Sequence, residues 1–203
     1  MGSIDALDQE LMPAPETLIS IALGIGLSAA CGFRVFIPLL IMSIAALTGR
    51  LTLASGFEWI GTVSALIAFG TAAVFEVSAY YIPWIDHVLD TIATPAAVVA
   101  GVIASASVIT DLDPLLKWIL ALIGGGGAAG LIQGATLLLR MKSTAMTGGL
   151  GNFLVAGGEM MGSVVTSLLA LLVPFITLAL IAGILVLTVR ATGSLFFSKK
   201  GTR

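Results

Sequence analysis

Long apolar stretches follow one another along almost the whole chain, separated by short segments that contain Gly, Pro or charged residues. A transmembrane α-helix needs about 20 mainly apolar residues to cross the hydrocarbon core of a bilayer. Stretches of this kind occupy residues 17–47, 57–81, 94–110, 115–139, 152–173 and 174–197. The pattern therefore predicts an all-α fold, a polytopic transmembrane helical bundle of about six spans.

The first apolar stretch, residues 17–47, is too long for one simple span. It is interrupted by Cys31 and Gly32 and then by Arg34 and Pro38. Gly and Pro in a span mark a break or kink in the helix. Two interpretations stay open, two half-helices or one long kinked span. The count of six treats the stretch as a single crossing, and a re-entrant hairpin would change it.

Composition supports a surface that faces lipid. Only 10% of the residues are charged, whereas a soluble domain carries about 25%. The net charge of −2 offers no basic surface for nucleic acid. The single Cys31 excludes an intramolecular disulfide, and no cofactor is predicted. The partners expected from the sequence are the lipid bilayer and a small ion or solute.

The chain divides into a short tail, one domain and a second tail. Residues 1–16 are acidic and contain no Lys or Arg, so they lack the positive n-region of a secretory signal. Residues 17–197 are predicted to form a single transmembrane domain, and residues 198–203 form a basic tail. With six spans, one side of the membrane collects Arg140, Lys142, Lys199, Lys200 and Arg203. Because Lys and Arg concentrate in cytoplasmic loops, both termini are predicted to be cytoplasmic.

Ionisable residues inside apolar stretches are the first candidates for function. A charge at the bilayer centre costs about 2.5–3.5 kcal/mol on insertion scales, so such a residue usually faces the protein interior and finds a partner. Arg34, Glu76 and Glu159 occupy such positions, and the spacing permits Arg34 to pair with either acid. Arg34 could equally satisfy carbonyl groups at a kink. Arg140 lies near the end of its span, where it can extend to the interface, and is given no functional role.

Further polar residues extend this candidate site. Tyr80 follows Glu76 by one helical turn on the same face. Asp86 and Asp90 share a face if their segment is helical, beside a cluster of aromatic residues typical of a membrane interface. These acids could line the route of a cation or proton, or pair with basic residues. The predicted pathway comprises Arg34, Glu76, Tyr80, Asp86, Asp90, Gln133, Asn152 and Glu159.

A metal site is considered only at Asp86, His87 and Asp90. Neighbouring residues of a helix point about 100° apart, so these three could just converge, and a fourth ligand would have to come from elsewhere. An interfacial, solvated histidine is the preferred interpretation. The metal is left unassigned.

Two glycine stripes predict close helix packing. They consist of Gly126, Gly130, Gly134, Gly158 and Gly162. Small residues spaced by four let helix backbones approach in a membrane, and such stripes would also suit a homo-oligomer. Glycines beside the buried Glu159 could alternatively leave room for a narrow passage.

The chain also suggests an internal repeat. Division near residues 111–114 gives halves 17–110 and 114–197, each with three predicted spans and one glycine-rich interruption, at 28–34 and 147–152. Many transporters contain inverted repeats with binding sites at discontinuous helices. An inverted 3+3 repeat is therefore a hypothesis for this chain.

Three spaced motifs carry a resemblance to a known family. The first is Cys31-Gly-Phe-Arg-Val-Phe-Ile-Pro38, and the second is Glu76 leading into Ile82-Pro-Trp-Ile-Asp-His-Val-Leu-Asp90. The third is Thr147-Gly-Gly-Leu-Gly-Asn-Phe153, followed by Glu159. Together they resemble the DUF4126 family of small bacterial membrane proteins. The resemblance implies a multi-pass protein of the bacterial inner (cytoplasmic) membrane, and it implies no settled activity.

The resemblance covers roughly residues 20–190, with two departures. Many members have Ala-Asp-Lys before the Pro, where this chain has Ala79-Tyr80-Tyr81, and Phe153 stands where a Pro is expected. Any role of that Asp and Lys therefore cannot be carried over.

Three functions follow from these features. The leading hypothesis is a transporter or channel for a small ion or small polar solute, with a site near membrane mid-depth built from broken helices. The alternative is a non-catalytic scaffold or accessory subunit whose charges lock helices together. An intramembrane lipid-modifying enzyme is the weakest of the three, because a single His and a single Cys provide no His-Glu-x-x-His metal set.

Overall fold

The computed structural model describes the backbone of residues 14–79 and 83–198, and side chains in the same ranges except 83–90, 188, 189 and 191–198. These described residues form seven α-helices and no β-strand. The helices are α1 Pro15–Phe33, α2 Phe36–Leu47, α3 Val63–Ala79, α4 Pro83–Val108, α5 Pro114–Thr147, α6 Asn152–Leu172 and α7 Pro174–Ser198. A 3-10 helix at Glu58–Gly61 precedes α3, and a π-helical turn at Ala121–Gly126 lies within α5. The predicted all-α fold is confirmed.

Several helices are long and apolar enough to cross a membrane. Within the described ranges these are Pro15–Phe33, Thr91–Val108, Pro114–Thr147 and Asn152–Leu172. Shorter apolar helices occupy Phe36–Leu47, Val63–Ala79 and Pro174–Leu187. The protein is therefore a helical membrane bundle, as the apolar pattern predicted.

The ends of the helices follow local chemistry. Pro15, Pro114 and Pro174 each begin a helix, where the missing N–H needs no intrahelical partner. The side chain of Asp113 accepts a hydrogen bond from the N–H of Leu115 (2.9 Å) and so caps α5. At its other end, α5 stops at Gly148, whose φ of 62° is the left-handed conformation that terminates many helices.

Two helices extend beyond the membrane spans predicted within them. The fourth span was predicted to end at residue 139, but α5 continues to Thr147, so most of the expected polar connection is helical. The third span was predicted to begin at residue 94, but α4 begins at Pro83 and contains Pro95 in its interior. In a membrane bundle, neighbouring groups can satisfy the backbone carbonyls that an internal proline frees.

Helix α1 runs antiparallel to α6. A Cβ atom built on Gly26 would lie 2.9 Å from Cβ of Ala170, near the end of α6. At the other end of α1, Nη2 of Arg34 donates a hydrogen bond to the carbonyl oxygen of Ala156 (3.1 Å), near the start of α6. The chain therefore enters the bundle at the end where α6 finishes.

Helix α2 returns toward that same end. After the break at Arg34, α2 runs alongside α6, and Ala45 lies in one groove with Leu171. Gly61, which follows α2, packs on Ala46, with 3.1 Å between its built Cβ and that of Ala46. The first apolar stretch is thus a hairpin of two antiparallel helices, α1 and α2, and not one continuous helix. This is the arrangement that changes the span count.

The hairpin also changes where the chain ends lie. Gly26 of α1 contacts Thr177 of α7, so α7 starts at the end of the bundle where α1 starts. Ala29 and Ile181 share a cluster, which shows that the two helices run in parallel. The described chain therefore begins at one end of the bundle and finishes at the other. The prediction that both termini lie on the same side of the membrane assumed six crossings, with the first apolar stretch counted as one. The hairpin removes that assumption.

Small residues bring α1, α4 and α5 together. The hydroxyl of Ser28 donates to the carbonyl oxygen of Gly101 (2.6 Å), which joins α1 to α4. A Cβ on Gly125 would lie 2.6 Å from Cβ of Ser105, and a Cβ on Gly101 would lie 2.6 Å from Cβ of Ala129. This close crossing is therefore built from positions outside the two predicted glycine stripes.

The predicted stripes pack only in part. Gly126 and Gly130 face Val98 of α4, and Gly162 faces the ring of Phe33. Gly134 and Gly158 would have no neighbour within 4 Å of an added Cβ. The close packing predicted at those two positions is therefore not found among the described residues.

The inverted 3+3 repeat stays a prediction. The hairpin gives the first half four α-helices, whereas the second half has three. The halves therefore do not match helix for helix in the order that the sequence suggested.

Candidate functional site at the helix break

The site begins where α1 stops. Helix α1 ends at Phe33, and Arg34 is extended (φ −147°, ψ 133°) before α2 begins at Phe36. Of the predicted interruptions, at Cys31 and Gly32 and at Arg34 and Pro38, the break falls at Arg34. Pro38 explains the position, because a continuous helix would bring its ring against the carbonyl group of residue 34, four positions earlier.

The break lies well inside the bundle. At 1.5 Å per residue, α1 extends about 28 Å from Pro15 to the break. Arg140 is seven residues from the end of α5, and Glu159 is seven residues from the start of α6, which is about 10 Å in each case. Arg34, Arg140 and Glu159 are 2%, 4% and 4% exposed. These charges are buried at a depth where water is scarce.

Arg34 reaches α6 across the bundle. Its Nη2 donates to the carbonyl oxygen of Ala156 (3.1 Å) and lies 3.4 Å from Oε2 of Glu159. The predicted alternatives for its acidic partner are therefore resolved in favour of Glu159. The link joins the hairpin to the start of α6.

Arg140 also binds Glu159. Its Nε donates to Oε1 of Glu159 (2.8 Å), and its Nη2 donates to Oε2. This planar two-point contact is the strongest geometry available to an arginine and a carboxylate. Glu159 is therefore shared by two guanidinium groups, one from the break and one from α5.

Arg140 was expected to extend to the membrane interface and was not predicted as a site residue. It is buried and bound to Glu159 instead. A signal was present, because Arg140 and Glu159 are equally far from the centre of the turn at residues 148–151. In an antiparallel helix pair, residues equidistant from the turn face each other. The acid needed a buried cation, and Arg140 is the cation of α5 that lies as far from the turn as Glu159.

Glu76 has a different role at the same break. Its two carboxylate oxygens accept hydrogen bonds from the backbone N–H groups of Val35 (2.8 Å) and Phe36 (3.0 Å). These donors open α2, where the helix dipole favours a negative charge. Arg34 and Glu159 are also close enough to act on the charge of Glu76. Glu76 therefore satisfies backbone groups that the break leaves without a helical partner.

The four charges form one group, which we call the break cluster: Arg34, Glu76, Arg140 and Glu159. Two arginines and two glutamates balance, so the cluster carries no formal net charge. It connects the hairpin with α3, α5 and α6.

A cavity of about 330 Å³ adjoins the cluster between α3 and α4. Its walls are mostly apolar, with Phe36, Phe75 and Ile92 among the lining residues. Glu76 is the one ionisable residue among those that line this cavity in the described structure. The cavity thus brings open space to one edge of the break cluster.

The remaining predicted residues lie elsewhere. Gln133 is buried in α5, two turns before Arg140. Asn152 begins α6, and its side-chain nitrogen donates to the hydroxyl of Thr144 (3.0 Å). Asn152 therefore joins α5 to α6 beside their turn, about two helical turns from Glu159. Tyr80 lies outside the described residues, as do the side chains of Asp86, His87 and Asp90.

No metal-binding group is present in the part of the chain with described side chains. Sets of three or more His, Cys, Asp or Glu that could hold a metal ion are absent there. The candidate ligands around His87 lie outside that part.

Comparison with known proteins identifies the family. No curated protein and no solved structure matches the chain. Residues 21–193 match the family model described as a domain of unknown function (DUF4126). That match covers well over half of the chain, and the chain belongs to the DUF4126 family.

Proposed function

We propose that this protein is a transporter or channel for a small ion or small polar solute, with its site at the break cluster. The observation that carries the proposal is a group of four charges at a helix break, three buried and one (Glu76) half-buried, with a cavity at its edge. Broken helices at membrane depth commonly line a cavity or a binding site, because irregular backbone is tolerated only there or inside protein.

Stability alone gives little reason to retain such a cluster. Taking charges out of water carries a desolvation cost that ion pairing often only balances, and replacement by well-packed apolar residues is frequently neutral or stabilising. Intramembrane charges therefore favour a functional interpretation when they adjoin open space.

The arrangement suggests how an ion would be received. Glu159 is shared between Arg34 and Arg140, and Glu76 occupies the N-terminus of α2. An entering anion would take the place of a carboxylate at Arg34 or at α2. An entering cation would take the place of an arginine at Glu159 or approach the carboxylate of Glu76 from the cavity. Either exchange would loosen the hairpin from α3 or α6.

A scaffold or accessory subunit is the second candidate. It is favoured by the two-point contact between Arg140 and Glu159 and by the two backbone hydrogen bonds of Glu76. Such a closed network can hold helices together without binding any solute.

A ligand screen followed by flux measurement separates the two candidates. Purified protein in detergent is heated with ions, phosphates, organic anions and amines at several pH values. A ligand that binds only the folded state at a hundred times its Kd adds about 2.7 kcal/mol of stability. The variants are Glu76→Gln and Arg34→Gln, and Lys142→Gln is the control because Lys142 is exposed.

For a transporter, one ligand class stabilises the wild type and Lys142→Gln in a saturable way but not the folded site variants. Vesicles containing those variants then lose flux of that ligand. A complete panel without any shift, with both site variants simply unstable, would reject transport in favour of the scaffold.

We also propose an orientation in the bacterial inner membrane. The end of the bundle with the loop after α2 carries Arg50, and Lys117 lies near it at the start of α5. Lys142 lies toward the other end, and the basic residues 199–203 follow α7 in the sequence. We therefore assign the end of the bundle near Lys142 to the cytoplasm. In this orientation the C terminus is cytoplasmic and the acidic N terminus is outside.

Thiol labelling tests this orientation. Ser55→Cys and Met146→Cys place exposed thiols toward opposite ends of the bundle, whereas the native Cys31 is fully buried. In intact spheroplasts, an impermeant maleimide is expected to label Ser55→Cys but to need permeabilisation for Met146→Cys. The reverse pattern would invert the orientation, and labelling of both would reject the helix directions.

A further inference from the structure

A second cavity, separate from the break cluster, lies on the outer face of the bundle between α2 and α6. Its volume is about 600 Å³. Its walls are Ile41, Ile44, Ala45, Leu168, Leu171 and Leu172. Thr48 and Arg50 close one end, so the groove is apolar along its length and polar at that end only.

The polar end lies at the level of the membrane interface. Trp59 and Trp118 at the same end of the bundle are 49% and 45% exposed, and exposed tryptophans favour the headgroup level. Lys117 stands over the ring of Phe57, 5.1 Å from its centroid. The apolar part continues from there along α2, about 10 Å from Thr48 to Ile41.

Arg50 is exposed, and two of the described acids at this end accept hydrogen bonds from their own loops. Glu58 accepts from the backbone N–H of Gly56 (2.8 Å), and Asp113 accepts from that of Leu115 (2.9 Å). Among the described residues, no carboxylate lies within ion-pair distance of Arg50. The positive charge of the Arg50 guanidinium is therefore available to a ligand at the polar end of the groove.

We propose that this groove binds one anionic phospholipid, with an acyl chain against α2 and α6 and the headgroup phosphate at Arg50. A guanidinium matches the geometry of a phosphate oxygen pair. The hydroxyl of Thr48 donates to the carbonyl oxygens of Ile44 (2.9 Å) and Ala45 (3.1 Å), so Arg50 is the anion-binding group of the groove. Apolar walls exclude a free phosphate from the rest of the groove. The ligand therefore needs both an anionic head and an apolar chain.

Bound lipid can be measured by native mass spectrometry of protein released from detergent with added phosphatidylglycerol or phosphatidylcholine. The wild type is expected to retain phosphatidylglycerol in preference. In Arg50→Gln that preference falls about fivefold, because one basic residue at an anionic surface contributes about 1 kcal/mol. Lys142→Gln removes an exposed cation toward the other end and should keep the full preference.

A second variant tests the groove itself. Ile44 is 47% exposed on the groove wall, so Ile44→Trp narrows the groove without adding a buried group. Retention of both lipids should fall in Ile44→Trp while its melting temperature in detergent stays near that of the wild type.

Three results would overturn the proposal. One is an unchanged lipid preference in Arg50→Gln. Another is equal retention of glycerol phosphate, which would indicate an anion site without a chain. The third is a lipid-free dimer mass that Ile44→Trp abolishes, which would assign the groove to a second copy of the chain.

Discussion

The most direct test of the break cluster is neutralisation of Glu159, the carboxylate that two arginines share. At an effective dielectric constant of about 20, each unit-charge attraction at about 4 Å is worth about 4 kcal/mol. Glu159→Gln loses two such attractions, to Arg140 and to Arg34 at 3.4 Å. Relief of the carboxylate's own desolvation offsets several kcal/mol. The expected net loss in the free energy of unfolding is about 3–5 kcal/mol, the usual cost of breaking a buried pair from one side.

Arg140→Gln should lower the free energy of unfolding by a smaller amount, about 1.5–3 kcal/mol, which is the contribution of a hydrogen bond to a charged group. The reason is that Glu159 keeps Arg34 as a partner in that variant. Glu58→Gln is the matched control, because Glu58 is exposed and a glutamine can still accept from the N–H of Gly56. Its effect should stay within about 0.5 kcal/mol.

Thermal melts in one detergent, followed by denaturant titration, measure these differences. For a chain of this size, about 1 kcal/mol shifts Tm by about 2–4 °C. Glu159→Gln should therefore melt about 6–20 °C below the wild type. A Tm indistinguishable from that of Glu58→Gln would show that Glu159 is not the shared carboxylate, and the break cluster would have to be redrawn.

Smaller perturbations at four other positions follow from the same packing. Glu76→Ala removes the cap of α2 and should cost about 0.5–2 kcal/mol, whereas Glu76→Gln keeps one acceptor and should cost less in the same melts. Gly125→Ala would place a Cβ 2.6 Å from that of Ser105 and should lower Tm through overpacking worth about 1–3 kcal/mol. Gly134→Ala, in open space, should leave Tm unchanged or raise it, by up to about 1 kcal/mol of helix propensity. Ser28→Ala removes an interhelical hydrogen bond and should lower the free energy of unfolding by about 0.6 kcal/mol, measured in the same melts.

The sequence located Arg34, Glu76 and Glu159 as members of the candidate site. It could not decide which groups each of them contacts. Glu76 and Glu159 stood out because a carboxylate inside an apolar stretch needs a partner. The partner of Glu76, however, is the backbone of Val35 and Phe36. Backbone groups leave no residue-type signal in a sequence, so this capping contact became visible only when α2 and α3 were placed together.

The glycines illustrate the same limit. Spacing by four selected Gly126 and Gly130, which pack on α4, but it also selected Gly134 and Gly158, which face open space. Whether a small residue meets another helix depends on where that helix crosses. Gly101 and Gly125, where α4 and α5 pack closely, belonged to no pattern strong enough to single them out.

The sequence by itself determined the class of this protein, the helical state of its apolar stretches and the interruption between Gly32 and Pro38. These properties are local, because they depend on hydropathy over about 20 residues and on the fixed geometry of proline. Only the tertiary structure decided that α2 turns back, since both directions leave the same residues apolar. That turn brings Arg34 onto α6, where Arg140 and Glu159 meet it. A buried charge predicts that a partner exists, and only the packing of distant helices selects which one.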